Sequence, residues 1–469
     1  MKQIMDRIRA ELSPAFELVY LTCVFFMYFE IAVPLPYSVF KGLYAGVFLL
    51  LTLRIVLLRE RPWDWVPAYL RSSRALVPVL LMLAYLLWDV AGLWYSPNPS
   101  FAAKKYLVIL PMLLFLIPTF YYIRSETRLN KLYMTLAFSG ISVGLFSLSN
   151  YFVYEFIPLP YIRRLSFLAD YNRYAQCLFI PFALGCFGIA NTRFKNRHTR
   201  TALLFACAAY YALIITLSGS RRTYLALFPA IGILLLYRAF LVARYSVSEK
   251  TAFRRLAAGA VLCVLCAAGV YLGQLGFERY SDIKYRSELE NGGNVGQENT
   301  VEEVIDTISS GGLFDKRLVI WRVAVNEALN YELKDILIGR GSGYDVYLYD
   351  ITDDKTLAKL YSGFNNKPKN WMSPHNFLLA DLLSGGVIRV TISLALVLAL
   401  ISLLFRLFVR RPGRALPLML AMGFVYFYAL ISGHYGYAYD KYFYILLAAI
   451  VAEHALSLSQ GHDGSRARL

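Results

Sequence analysis

The chain has 469 residues, of which 58% are hydrophobic and only 17% charged, against about 25% charged in soluble domains. With a mean hydropathy of +0.48, this composition excludes a soluble globular domain and indicates a polytopic membrane protein. A formal net charge of +17 would suggest nucleic acid in a soluble protein, but here the basic residues lie in short loops between apolar stretches, so membrane lipids are the expected partners and no nucleic acid is.

A bilayer core requires roughly 20 apolar residues per helix. About twelve stretches of this kind lie near residues 16–35, 38–58, 75–95, 104–123, 131–154, 173–191, 201–218, 222–242, 255–276, 387–409, 415–433 and 440–458. The expected fold class is therefore all-α, an integral membrane protein with about twelve transmembrane helices and one large outer loop. Residues 1–276 hold the first nine spans, 277–373 the loop, and 374–469 a short helix followed by three spans. The start, Met1-Lys2-Gln3-Ile4-Met5-Asp6-Arg7, leads into a full apolar span without a small-residue cleavage site, so no cleavable signal peptide is expected. Every even-numbered loop is basic: Arg59, Arg61, Arg71 and Arg74; Arg124, Arg128 and Lys131; Arg193, Lys195, Arg197 and Arg200; Arg244, Lys250, Arg254 and Arg255; Arg410, Arg411 and Arg414. With Lys2, Arg7 and Arg9 at the start, this pattern predicts that both termini are cytoplasmic. The 36 tyrosines suit interfacial belts. The six cysteines all fall in apolar stretches, so no disulfide framework is expected, and Cys263 and Cys266 read as small packing residues.

The polar segment 277–373 is too long for a mere connection. Glu288 through Asp306 is rich in Gly, Asn and Glu and reads as mobile. Asp315 is then expected to cap a helix with apolar positions Leu318, Trp321, Val325 and Leu329. The run Ile338-Gly339-Arg340-Gly341-Ser342-Gly343-Tyr344 reads either as a plain glycine-rich turn or as a phosphate cradle, although it lacks the lysine and Ser/Thr of a P-loop.

The segment ends at Trp371-Met372-Ser373-Pro374-His375-Asn376-Phe377-Leu378-Leu379. Pro374 suits a first helical turn and Ser373 the N-cap. His375 and Asn376 then fall where free N–H groups and the helix dipole favour an anion. One reading is a histidine that caps its own helix; the other is a functional imidazole at the membrane boundary.

Several basic residues break the positive-inside pattern. Arg221 and Arg222 sit in the short outer turn Leu217-Ser218-Gly219-Ser220-Arg221-Arg222-Thr223. Arginine at such a boundary is costly without a partner or a wet cavity, and guanidinium groups suit bidentate binding of phosphate oxygens. Arg163, Arg164 and Arg173 are further candidates, with Asp170 near enough to pair with Arg173; snorkelling to headgroups is the alternative for them. His434, in Ser432-Gly433-His434-Tyr435, either joins the same chemistry or is an interfacial histidine. No His pair stands at helical spacing and there is no Asp-rich outer motif, so no metal and no cofactor is expected.

Together these residues resemble the O-antigen ligase and O-antigen polymerase superfamily. Ser218-Gly219-Ser220-Arg221-Arg222 opens one span, with three residues between Arg221 and Leu225. A large outer loop follows, and then Pro374-His375-Asn376, with nine residues between Asn376 and Gly386. The histidine motif departs from the family pattern after that, because Val387-Ile388-Arg389 does not continue with a second glycine. The resemblance covers about residues 165 to 390.

The resemblance implies a metal-independent, inverting glycosyltransferase at the periplasmic face of the bacterial inner membrane. Its donor is a glycan on undecaprenyl diphosphate and its acceptor a sugar hydroxyl of lipid A core. Carried over by motif, Arg221, alone or with Arg222, holds the diphosphate, and His375 orients or deprotonates the acceptor hydroxyl; Arg163, Arg164, Arg173, Asn376 and His434 are candidate substrate contacts. The chemistry agrees, because a departing diphosphate needs cationic stabilisation in a low-dielectric site and a sugar hydroxyl needs a nearby base. The alternatives are a repeat-unit polymerase, which passes the glycan to another lipid-linked glycan, and a protein O-oligosaccharyltransferase. A transporter of lipid-linked sugars would line several spans with charge, and a scaffold would not explain polar residues gathered at one membrane face.

Overall fold

A computed structural model of the chain describes residues 2–35, 38–58, 74–168, 170–191, 197–245, 249–290, 312–360, 372–431 and 436–463. Among these residues no strand occurs, and sixteen α-helices follow one another. They are α1 (Lys2–Ala32), α2 (Val39–Leu58), α3 (Val77–Ala91), α4 (Pro99–Tyr122), α5 (Glu126–Phe152), α6 (Tyr171–Asn191), α7 (Arg197–Leu217), α8 (Arg221–Tyr245), α9 (Glu249–Glu290), α10 (Gly312–Leu329), α11 (Leu333–Ile338), α12 (Tyr344–Ile351), α13 (Lys355–Leu360), α14 (Phe377–Arg410), α15 (Pro412–Ile431) and α16 (Lys441–Asp463).

The all-α, polytopic expectation holds. All twelve expected stretches are helical, but ten helices among the described residues, rather than twelve, are long and apolar enough to cross a membrane: α1 to α5, α7, α9 and α14 to α16. Helices α6 and α8 cover the other two expected stretches. Helix α9 continues to Glu290, beyond the expected end of its span at 276.

The helices form two compact units, Met1–Glu60 with Thr127–Glu298, and Arg61–Glu126 with Asn299–Leu469. In the first, α1 packs on α2, α6 on α7, and α9 on α7. Small residues let aromatic side chains reach the backbone. Tyr210 and Tyr211 of α7 donate to the carbonyls of Ile141 (2.7 Å) and Ala137 (2.6 Å) on α5. Gly140 makes room for this, since a Cβ there would lie 2.5 Å from Pro181 and 2.7 Å from the Tyr211 hydroxyl.

In the second unit α16 is almost wholly buried against α4, α14 and α15. At one end Arg414 binds Glu453 (2.6 Å) and Glu126 (3.3 Å), and Arg411 also pairs with Glu126. At the other end α10 to α13 enclose a core of Ile320, Val323, Ala324, Tyr331, Tyr344, Leu348, Tyr349, Leu357, Met372 and Leu383. The face of α10 differs from the expected one, because Leu318, Val325 and Leu329 are exposed while Ile320, Val323 and Ala324 are buried. Tyr349, whose hydroxyl donates to the Ile320 carbonyl at 2.8 Å, claims the neighbouring stripe. The helix begins at Gly312, so Asp315 lies inside it and is not its cap. Of the stretch read as mobile, all but residues 288–290 lies outside the described residues.

Candidate active site

His375 stands immediately before α14, not inside its first turn. Asn376 is the N-cap, in extended conformation (φ −147°, ψ 116°), and its side-chain oxygen accepts the N–H groups of Leu378 (3.0 Å) and Leu379 (3.2 Å). This corrects the expectation that Ser373 caps the helix and that Pro374 opens it. An asparagine oxygen satisfies the free donors at least as well as serine, so the helix starts three residues later. Ser373 is instead fully buried, and the Pro374 carbonyl accepts the indole N–H of Trp321 at 2.9 Å. Trp371 lies outside the described residues.

The half-buried His375 is the sole non-glycine with a positive φ (53°) among the described residues. Histidine is several-fold enriched in that region of backbone space, but the region remains uncommon for any residue with a Cβ. Such conformations concentrate at functional sites, where the surroundings hold them in place. The holding contacts are visible on both sides of His375: the Trp321 indole on Pro374 before it and the Asn376 cap after it.

Ten residues past the cap, α14 kinks. Gly386 has φ 65° and ψ −167°. The short helix expected to lead into the tenth span is therefore present as residues 377–385. A Cβ on Gly386 would strike the Leu337 carbonyl and come within 2.6 Å of the Gly339 nitrogen. Gly339, Gly341 and Gly343 also have positive φ. The N–H groups of Arg340 and Gly341 donate to the carbonyls of Leu383 and Ser384 (both 3.0 Å), and that of Ser342 donates to Gly92 (3.1 Å). With those donors occupied, the glycine-rich run is a packed turn wedged against the kink and not a phosphate cradle.

A buried charged cluster, to which sequence reading gave no role, surrounds the kink. Arg389 pairs with Asp381 (Nε to Oδ1, 3.0 Å) and with Asp89 of α3, and donates from Nη2 to the Tyr85 hydroxyl at 2.7 Å. Tyr85 in turn donates to Asp381 at 2.7 Å. Ser342 donates to the Asp89 carboxylate at 2.8 Å, and the Trp88 indole N–H to the Gly385 carbonyl at 2.9 Å. The one sequence signal was charge inside apolar spans, a default marker of function. The partners are some 300 residues apart in sequence, so nothing local could pair them.

In the other unit, Arg221 and Arg222 occupy the first turn of α8. The turn before them is shaped by Gly219 (φ 69°). The Ser220 hydroxyl lies 2.9 Å from both Asn172 Oδ1 and Thr223 Oγ1. Arg164 reaches this turn, with its Cγ and Cδ along Gly219. Its guanidinium lies over the rings of Tyr171 (4.0 Å) and Tyr161 (5.4 Å) and has no carboxylate partner among the described residues. Arg163 turns the other way, to Asp282 (Nε to Oδ1, 3.0 Å) and the Tyr285 ring. Exposed Arg173 meets Asp170 through its backbone N–H, which the Asp170 carboxylate accepts at 3.3 Å. The fold thus groups Arg164 with the Arg221–Arg222 turn and commits Arg163 elsewhere. His434 lies outside the described residues. Among the described residues no group of three His, Cys, Asp or Glu side chains could hold a metal ion.

None of the curated proteins matches the chain. A family model does: residues 203–392 match Wzy_C, O-Antigen ligase. That stretch contains the Arg221–Arg222 turn, His375 with its Asn376 cap, the Gly386 kink and Arg389. The chain therefore carries a domain of the O-antigen ligase family.

Proposed function

We propose that the protein transfers a glycan from undecaprenyl diphosphate to a sugar hydroxyl at the periplasmic face of the bacterial inner membrane, as an inverting glycosyltransferase that needs no metal. The observation that carries this reading is His375, held at positive φ between a capped helix and an indole-anchored proline, within the stretch that matches the O-antigen ligase family. The acceptor hydroxyl gives its proton to the imidazole of His375 as its oxygen attacks the anomeric carbon. The bond from that carbon to the diphosphate breaks, configuration inverts, and the diphosphate leaves with the electron pair. Arg221 and Arg222 stabilise the growing negative charge, as preorganised cations do in a low-dielectric site. Arg164, fixed by two tyrosines beside the same turn, is a third contact for the leaving group.

The ligase and the polymerase share this chemistry and differ only in acceptor. The test therefore uses purified protein, an undecaprenyl-diphosphate oligosaccharide, and either lipid A core or a second lipid-linked glycan as acceptor. A general base contributes about 10²–10⁴-fold, so His375→Ala should lose transfer by about that factor while still binding donor. Full transfer by His375→Ala would end this assignment. Transport of intact donor by wild type, without any transfer product, would favour a flippase.

A further inference from the structure

The buried cluster Arg389–Asp381–Asp89–Tyr85 has no part in the chemistry just described, yet it is built around the helix that carries His375. Asp381 lies before the Gly386 kink and Arg389 after it, so their ion pair spans the break in the helix. The side chains are 2% and 11% exposed. Asp89 and Tyr85 hold Arg389 from α3. A second link crosses the same kink: the Phe377 ring packs edge-on against Tyr437 (5.3 Å), whose hydroxyl lies 2.7 Å from Ser393 Oγ, beyond the break.

A backbone break at Gly386 interrupts the hydrogen-bonded ladder that would otherwise fix one half of α14 against the other. Something else must set the angle between the halves, and hence the placement of His375 at the tip of the first. A buried ion pair adds little net stability over apolar packing, because desolvation offsets its attraction. What it does supply is geometry: a planar guanidinium with its donors directed at fixed acceptors. Arg389 also stands where the histidine motif would continue with a second glycine. Its side chain lies against Gly385, where a Cβ would be 3.0 Å or less from its Cγ.

We propose that Arg389, with Asp381 and Asp89, is a positioning device, a clamp across the Gly386 kink that sets the orientation of residues 375–385 and so of His375. It acts through His375 and touches no substrate. The clamp rests on the assignment of His375 as the base only for its effect on transfer; its hold on the segment is independent of that reading.

The test pairs kinetics with hydrogen exchange on the full-length protein. Asp381→Ala removes the ion pair across the kink and leaves Arg389 neutralised by Asp89, so no unpaired buried charge threatens folding. Misplacement of about 1 Å can cost 10²-fold. Asp381→Ala should therefore lower kcat by about 10- to 100-fold while leaving the KM for donor and acceptor within about two-fold. Amide exchange should rise in the peptide 372–385 and stay unchanged in α3. Arg389→Lys keeps the charge but loses the fork, and should fall between wild type and Asp381→Ala. In a His375→Ala background, Asp381→Ala should cause no further loss. Unchanged kcat and unchanged exchange would overturn the clamp. A further loss in the His375→Ala background, or an effect on KM alone, would show that the cluster acts elsewhere. If His375→Ala itself transfers normally, the base assignment fails, and the exchange of 372–385 still decides whether the clamp holds that segment.

Discussion

At the scale of single residues, two arginines adjacent in sequence have different fates. Arg163 is tied to Asp282, whereas Arg164 lies between Tyr161 and Tyr171 with its guanidinium donors facing no carboxylate among the described residues. A cation over aromatic faces is held in place without losing its charge to a counterion. Arg164→Ala should therefore weaken donor use, with a cost on the order of 1–3 kcal/mol in kcat/KM as for other charge-assisted contacts. Arg163→Ala should change kcat/KM little and act on stability instead. Measuring both variants at subsaturating donor separates the two. Equal losses would mean that the arginines act only as a shared headgroup anchor. Arg221→Ala and Arg222→Ala belong to the same experiment and should each cost about 2–4 kcal/mol if they meet the leaving group. Sequence reading could nominate all four arginines, because charge on the wrong side of the membrane is a local signal. It could not divide Arg163 from Arg164, because the division depends on Asp282 and Gly219, far away in the chain.

At the scale of elements, the cap and the kink of α14 decide most. Gly386→Ala puts a methyl into the Leu337 carbonyl at a φ that L-residues avoid. It should destabilise the protein by at least the 1–3 kcal/mol of such strain, seen as a lower midpoint in thermal unfolding in detergent. Helix α13 offers a pH test. The Asp354 carboxyl is partly buried, which raises its pKa, but it accepts the N–H groups of Leu357 (2.9 Å) and Thr356 (2.8 Å) and pairs with Arg322 at 3.1 Å. The net effect holds it below the usual Asp range. A depressed folded-state pKa means the cap contributes fully above the unfolded value, about 3.9, and is lost as pH falls through the folded value. Exchange in peptides covering 353–360 should therefore rise only in strongly acidic buffer for wild type. Asp354→Ala should show that rise already at neutral pH, at a cost of about 1 kcal/mol. The short helix before the tenth span was legible because proline, a polar cap residue and an apolar run stand together. The choice of Asn376 over Ser373 as cap was not, since Ser373 is drawn into the core beside Met372 and only the folded loop shows that.

At the scale of the whole molecule, the existence and place of the apolar runs were readable, because a bilayer imposes one length on every span, although helices such as α9 extend well beyond them. Helices cover the expected stretches, and ten among the described residues are long and apolar enough to cross a membrane. The contact units were not legible, since each joins segments distant in the chain. The basic even-numbered loops still argue for cytoplasmic termini and a periplasmic 277–373. Single cysteines placed in a cysteine-free variant test this. Residues in 312–360 should react with a membrane-impermeant maleimide in intact cells, and residues 2–9 only after the membrane is broken. The reverse pattern would invert the protein and remove the periplasmic chemistry with it.

The kink in α14 also sets a length. Helix Phe377–Arg410 has 34 residues, about 51 Å at 1.5 Å per residue, which far exceeds a hydrocarbon core of about 30 Å. Divided at Gly386, the part after the break is about 36 Å long and the part before it about 14 Å. The first length suits a slightly tilted crossing, and on the proposed topology the second is a stub at the level of the headgroups. With the angle between the two held by the proposed clamp, the stub cannot adjust on its own when the lipid changes. A thicker bilayer draws the imidazole inward from the headgroup plane and a thinner one pushes it out, a case of hydrophobic mismatch. Transfer in reconstituted vesicles should pass through a maximum as acyl chains lengthen, and the lipid thickness at that maximum measures how far from the bilayer centre the reacting hydroxyl is met.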